Sequence, residues 1–337
     1  MKNNTTPEVV VVTGASAGVG RATAVAFGKR GACVGLLARG HAGLEGAQRE
    51  IEEAGGRAIA LPTDVSNPDQ VEAAAQKVED TFGPIDVWVN DAMESVFSPF
   101  KEMKPQDFKR VTEVAYLGFV YGTMTALHHM LPRDKGRIIQ IGSALAYRSI
   151  PLQSAYCGAK HGIMGFTDSV RCELIHDRSN VKITMVQLPA VNTPQFGWVK
   201  SNLPDKAQPV PPIYQPEMIA DAVTWVTDHY RRELFIGLST VIAIQGNKLA
   251  PALGDRYLGR TGYKSQQTGQ PVDPNQPNNL SGPVDENRDY GAHGTFDSKA
   301  SYQSWQLWAD MHAGTLALAG LGLAGVATFA ALARRFR

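Results

Sequence analysis

Cysteine is scarce: Cys33, Cys157 and Cys172 are the three in 337 residues, an odd number with neither disulfide nor metal spacing. That excludes a disulfide scaffold and points to a reducing compartment, with Cys157 read as small buried filler. Histidine offers no metal-ligand spacing either, because His128-His129, His161 and His176 have no partners nearby in sequence, so no metal is expected. An excess of one charge is also missing. With 33 basic and 32 acidic residues the net charge is +1, which provides no electrostatic footprint for nucleic acid. The first eight residues are polar, so no signal peptide is expected ahead of the first apolar run. What remains is 43% hydrophobic content, enough chain for one large core and a small appendage.

Val9-Val10-Val11-Val12 reads as a short buried strand, followed by Thr13-Gly14-Ala15-Ser16-Ala17-Gly18-Val19-Gly20 and a helical run, Arg21–Arg30. Glycines between strand and helix allow a tight turn and close approach of a phosphate to backbone N–H groups, and the helix N-terminus favours negative charge. In this setting the turn predicts dinucleotide binding. Further strands are expected at Ala32–Ala38, Arg57–Leu61, Ile85–Asn90, Arg137–Ile141, Lys182–Leu188 and Leu234–Ala243. Helices fill the intervals, at Ala42–Ala54, Pro68–Phe82, Pro105–Met130, Ser154–His176 and Pro216–His229. The alternation predicts an α/β fold: a Rossmann-type, doubly wound, parallel seven-stranded sheet with helices on both faces. Right-handed crossovers then line up the strand C-termini, carrying Gly14, Asp64, Asn90, Ser143 and Pro189 along one edge.

Tyr156 and Lys160 are four apart in Ser154-Ala155-Tyr156-Cys157-Gly158-Ala159-Lys160, which puts both on one helix face. An ammonium beside a phenol favours the phenolate, so the pair predicts a proton exchanger near neutral pH, with Ser143 holding the substrate oxygen.

With these motifs in this order, the chain resembles the short-chain dehydrogenase/reductase family over about residues 8 to 245. The spacing of Gly14, Gly18 and Gly20 is similar to that family's cofactor turn, and Ser143, Tyr156 and Lys160 match its catalytic positions. Asp64-Val65, Asn90-Asp91-Ala92 and Pro189-Ala190-Val191-Asn192-Thr193 extend the match. The resemblance implies a hydride transfer in which Tyr156 is the general acid/base and Lys160 lowers its pKa and holds the nicotinamide ribose. It also implies cofactor contacts from Thr13, Gly14, Ser16, Gly18, Val19, Gly20, Val65, Ala92 and Pro189, with Asp64 at the adenine, Asn90 at the adjacent ribose and Thr193 at the nicotinamide end. A homo-oligomer is expected. Two positions depart from the pattern: Ala115 stands where the family carries an asparagine that holds a relay water, and Met93 replaces a glycine. An enzyme is the expected reading, and a membrane-associated NADP(H)-binding scaffold or redox sensor with a weakened site is its alternative.

The end of the second strand lacks the acidic residue that accepts from a ribose 2′-hydroxyl, and Ala38-Arg39 stands there instead. Arg39 can fork onto a 2′-phosphate, so NADP(H) is the expected cofactor. Between Ala190 and Pro216, Phe196, Trp198, Leu203, Val210, Ile213 and Tyr214 among six prolines suggest a lid for an apolar carbonyl or alcohol substrate.

Three regions are expected: residues 1–246 as the catalytic domain, 247–304 as a Gly/Pro-rich linker or wrapping arm without amphipathic periodicity, and 305–337 as an apolar C-terminal helix. In the last, an uncharged run from Ala313 to Ala333 lies between Trp305 and Trp308 on one side and Arg334, Arg335 and Arg337 on the other. At 1.5 Å per residue, about 20 residues cross a hydrocarbon core of about 30 Å, so a single transmembrane helix is expected, with the catalytic domain in the cytoplasm. A soluble cytoplasmic protein is the second reading.

Overall fold

The computed structural model describes residues 7–273 and 275–314. Seven parallel strands form the central sheet: β1 (Val9–Thr13), β2 (Cys33–Ala38), β3 (Arg57–Pro62), β4 (Val87–Asn90), β5 (Arg137–Ile141), β6 (Lys182–Gln187) and β7 (Glu233–Phe235). Their order is β3-β2-β1-β4-β5-β6-β7, so the chain winds outward from β1 in one direction and from β4 in the other. The reversal between β1 and β4 opens a crevice at the strand C-termini, where ligands bind in such sheets.

Alternation within β1 shows how two cores arise from one run of valines. Val10 and Val12 face a cluster with Phe27, Leu44, Ile51, Val223 and Val226, from α1 (Gly18–Lys29), α2 (His41–Glu53) and α7 (Pro216–Asp228). Val9 and Val11 face the other side, packing with Val71, Val78, Ala126, Met130 and Leu174 from α3 (Pro68–Phe82), α5 (Gly118–Met130) and α6 (Ser154–His176). Burial on both faces explains the unbroken apolar run.

Two expectations change. The predicted helix Pro105–Met130 is α4 (Pro105–Thr112) and α5 joined by a π-helical turn, Glu113–Leu117. The last strand was expected to reach Ala243 but ends at Phe235, because Gly237 takes φ +82° and starts α8, Leu238–Leu249. Its apolar Val241-Ile242-Ala243-Ile244 run buries Ile244 and leaves Ile242 exposed, the pattern of a surface helix. Residues 247–304, expected as a linker or a wrapping arm, carry structure of their own. Pro251–Ser265 forms α9, residues Gln267–Pro271 pair with Asp205–Ala207, and Ala300–Ser301 pair with Ile213–Tyr214.

The segment from Trp305 begins with a short helix, α10 (Trp305–Met311), whose Leu307 is buried in the first core while Gln306 donates to the Phe235 carbonyl at 3.0 Å. From residue 315 onward the apolar run lies outside the described residues. No helix among the described residues is long and apolar enough to cross a membrane.

Candidate active site

The turn after β1 is built by close approach. Gly14 has φ +71°, and a Cβ there would lie 2.9 Å from the Ala92 backbone. Thr13 Oγ1 accepts the N–H groups of Asp91 (2.9 Å) and Ala92 (3.1 Å), tying the loop after β4 to the loop after β1. Together these loops bound a cavity of about 440 Å³ at the crevice.

Most of the expected site residues line this cavity: Gly14, Ser16, Gly18, Val19, Arg39, Asp64, Val65, Ala92, Ser143, Tyr156, Lys160, Pro189 and Thr193. Thr13, Gly20 and Asn90 do not. Thr13 and Gly20 serve the turn beneath it. Asn90 is 1% exposed, accepts from Trp88 Nε1 (2.8 Å) and donates to Gln140 (3.0 Å) and Thr123 (3.2 Å). That buried network spends the amide that was expected at the ribose, so Asn90 acts as a brace between β4, β5 and α5.

Ser143, Tyr156 and Lys160 are brought together by β5 and α6. Ser143 follows β5, its N–H donating to Gln187 Oε1 at 2.8 Å, and its hydroxyl accepts from Leu145 N at 3.1 Å on the Tyr156 side of the cavity. Burial pushes the Tyr156 phenol well above its usual range, and the Ser143 hydroxyl only partly opposes it. Lys160 is not among the groups that move it. Lys160 Nζ is turned to the Ile141 carbonyl (2.7 Å) and stands 5.5 Å from the Tyr156 ring centroid and 4.5 Å from that of Phe119. Burial lowers its pKa and the Asp91 carboxylate opposes that, while Asp91 itself is raised by burial against the same attraction.

Ala115, at the family's asparagine position, is fully buried against Ala155 and Ala159 of α6. Of the expected lid, Phe196, Trp198 and Val210 line the cavity with Pro209, Pro211 and Pro212, joined by Phe97 and Leu258. Leu203, Ile213 and Tyr214 turn inward to the cores.

Local sequence hid other contacts. Glu94, 2% exposed, faces the cavity and pairs with Arg39, which also donates to the Asn279 carbonyl at 2.6 Å. Arg110 binds Asp64 (2.7 Å) across the cleft floor. His128 and His129, expected to be solvated or satisfied histidines, both reach Glu72 Oε1, at 2.9 and 3.1 Å, from α5 to α3. Each partner is more than 40 residues distant in sequence.

Orphaned polar atoms show that a polar ligand suits the cavity. Arg39 Nη1, Glu94 Oε2 and Thr193 Oγ1 are buried without partners on residues that line it. Strand order, glycine turn and the serine–tyrosine–lysine trio define a dinucleotide-binding oxidoreductase. The family model for short chain dehydrogenase matches residues 8–203. An uncharacterized oxidoreductase of Bacillus subtilis, YxnA, is 34% identical over 273 residues, 80% of this chain and 76% of that protein. A metagenomic short-chain oxidoreductase solved with NADP superposes with a TM-score of 0.57 at 29% identity, over 68% of this chain and 96% of that one. A variant of actinorhodin polyketide ketoreductase solved with NADPH gives 0.62 at 28%, over 68% and 95%. The protein belongs to the short-chain dehydrogenase family, and its cofactor is a nicotinamide dinucleotide.

Proposed function

We propose that the protein is an NADP(H)-dependent oxidoreductase acting on a carbonyl or alcohol carbon of an apolar small molecule. The observation that carries this reading is that the Ser143–Tyr156 pair opens into the same cavity as the glycine turn and the aromatic, proline-rich lid. When bound, the nicotinamide supplies or accepts the hydride. Arg39 is the residue for a 2′-phosphate, with Nη1 unspent and no acid at the end of β2. Thr193 Oγ1 offers an unspent hydrogen bond at the other end.

In the reducing direction Tyr156 holds the proton that the substrate oxygen takes, because burial keeps the phenol neutral, and Ser143 donates a hydrogen bond to the same oxygen. Lys160, fixed on the Ile141 carbonyl, holds its amine 5.5 Å from the centre of the Tyr156 ring. Phe196, Trp198, Val210 and Leu258 exclude water and favour an apolar substrate, in keeping with the polyketide ketoreductase among the structural neighbours.

The test is NADPH oxidation by the full chain against apolar ketones, aldehydes and 3-oxoacyl compounds, beside Tyr156→Phe. Loss of a general acid predicts a fall in kcat of about 10² to 10⁴ with cofactor affinity retained. Full turnover in the variant would overturn the proton assignment. NADPH binding without turnover over the whole panel would favour the scaffold or sensor alternative.

A further inference from the structure

Residues 279–297 cross the cleft as a strap. The carbonyls of Asp285 and Glu286 accept the N–H groups of Gly43 (3.3 Å) and Ala42 (3.2 Å) in the first turn of α2, and that of Gly291 accepts from Gly18 N (3.2 Å). Asp289 forks onto the buried Arg21 guanidinium at 2.6 and 3.0 Å, and the Tyr290 ring meets Trp198 edge-on with centroids 4.8 Å apart. Its seat is written into α2. Gly40, Gly43 and Gly46 are three residues apart on one face, and a Cβ at Gly40 would fall on the Asp285 carboxylate and 2.8 Å from the Asp285 backbone carbon. At Gly43 it would lie 2.5 Å from the same carboxylate, and at Gly46 it would fall on that of Asp289. Alanine suits a helix better than glycine, so the helix alone gives no reason for this row. The strap does.

Asn279, Pro283, Val284 and Asp285 line the cavity at the end bounded by Ala38, Arg39, Thr63 and Asp64. This is the side of β2, where the adenosine half of a dinucleotide lies in such sheets. The strap is wholly outside the residues that match the family, 8–203. We propose that residues 279–285 are the outer wall of the adenosine subsite, with Pro283 and Val284 as its apolar cover and Asp285 as the anchor that seats it on Gly40 and Gly43. The assignment rests on the cofactor reading above.

Gly40→Ala tests it in the full-length protein, since the nearest neighbours of the added methyl all belong to Asp285 and the residue has φ −85°, open to alanine. Val284→Gly is a second variant that trims the cover without touching α2. Calorimetric binding would be measured for NADPH, for adenosine 2′,5′-bisphosphate and for reduced nicotinamide mononucleotide. NADPH and the bisphosphate should each weaken by about tenfold in both variants as apolar cover is lost, while the mononucleotide is unchanged. Wild-type affinity for the bisphosphate in both variants overturns the wall, as does an equal loss for both fragments, which would report general loosening. If the wild type binds neither NADPH nor the bisphosphate, the cofactor reading fails first and the wall with it.

Discussion

Glu94 gives the most quantitative test of the site's electrostatics. It is 2% exposed, one carboxylate oxygen meets Arg39 and the other has no partner. Burial pushes its carboxyl from the usual 4.5 up to about 8, against the attraction of Arg39 and Arg110. In the unfolded chain it ionises near pH 4.5, whereas in the folded protein it keeps its proton until about pH 8. Between those values the native state binds more protons, so its stability falls as pH rises. At about 1.4 kcal/mol per unit, the loss across the window is about 4 to 5 kcal/mol, of which about 3 falls between pH 5 and 8. Glu94→Gln removes the titration and keeps the shape. Urea unfolding of both proteins at pH 5 and pH 8 should show the variant gaining about 3 kcal/mol on the wild type between the two. Parallel pH profiles would refute the reasoning, because the buried carboxyl would then titrate alike folded and unfolded. A phosphate beside Arg39 raises the same carboxyl further, so NADPH binding near pH 8 should take up a proton, visible as a binding heat that depends on buffer ionisation.

Asp91→Asn should move the basic limb of the pH–rate profile for reduction to lower pH. Asp91 is the charge that opposes the burial-driven fall of Lys160, and an unmoved limb would show that the amine does not set that limb. Leu307→Ala should cost about 2 to 5 kcal/mol in denaturant unfolding, since Leu307 is 4% exposed within the first core, and a change below about 0.5 kcal/mol would show that α10 does not dock there in solution.

Much of the sheet could be read from the chain because parallel strands buried on both faces are unbroken apolar runs, as Val9–Val12 shows. Motif spacing likewise placed Ser143, Tyr156 and Lys160 around one cavity. What local pattern could not carry was burial. It raises the Tyr156 phenol, turns Asn90 away from the cleft and packs Ala115 against α6. Nor could composition distinguish α9 and the strap from a linker. Their order comes from partners at long range, such as Arg21 with Asp289 and Arg148 with Asp255 at 2.6 Å. The extended seventh strand was a case of short apolar runs reading alike as strand or helix until Gly237 decides between them.

The strap and the lid share their fastenings. Before the strap, Gln267–Pro271 pairs antiparallel with Asp205–Ala207, and after it Ala300–Ser301 pairs with Ile213–Tyr214, which in turn pairs with Ala190–Val191. Both ends of the strap are therefore stitched by main-chain hydrogen bonds into the segment between residues 190 and 216. A substitution that displaces one segment pulls on the other. Since the stitches are backbone groups, they place no demand on which side chains either segment carries.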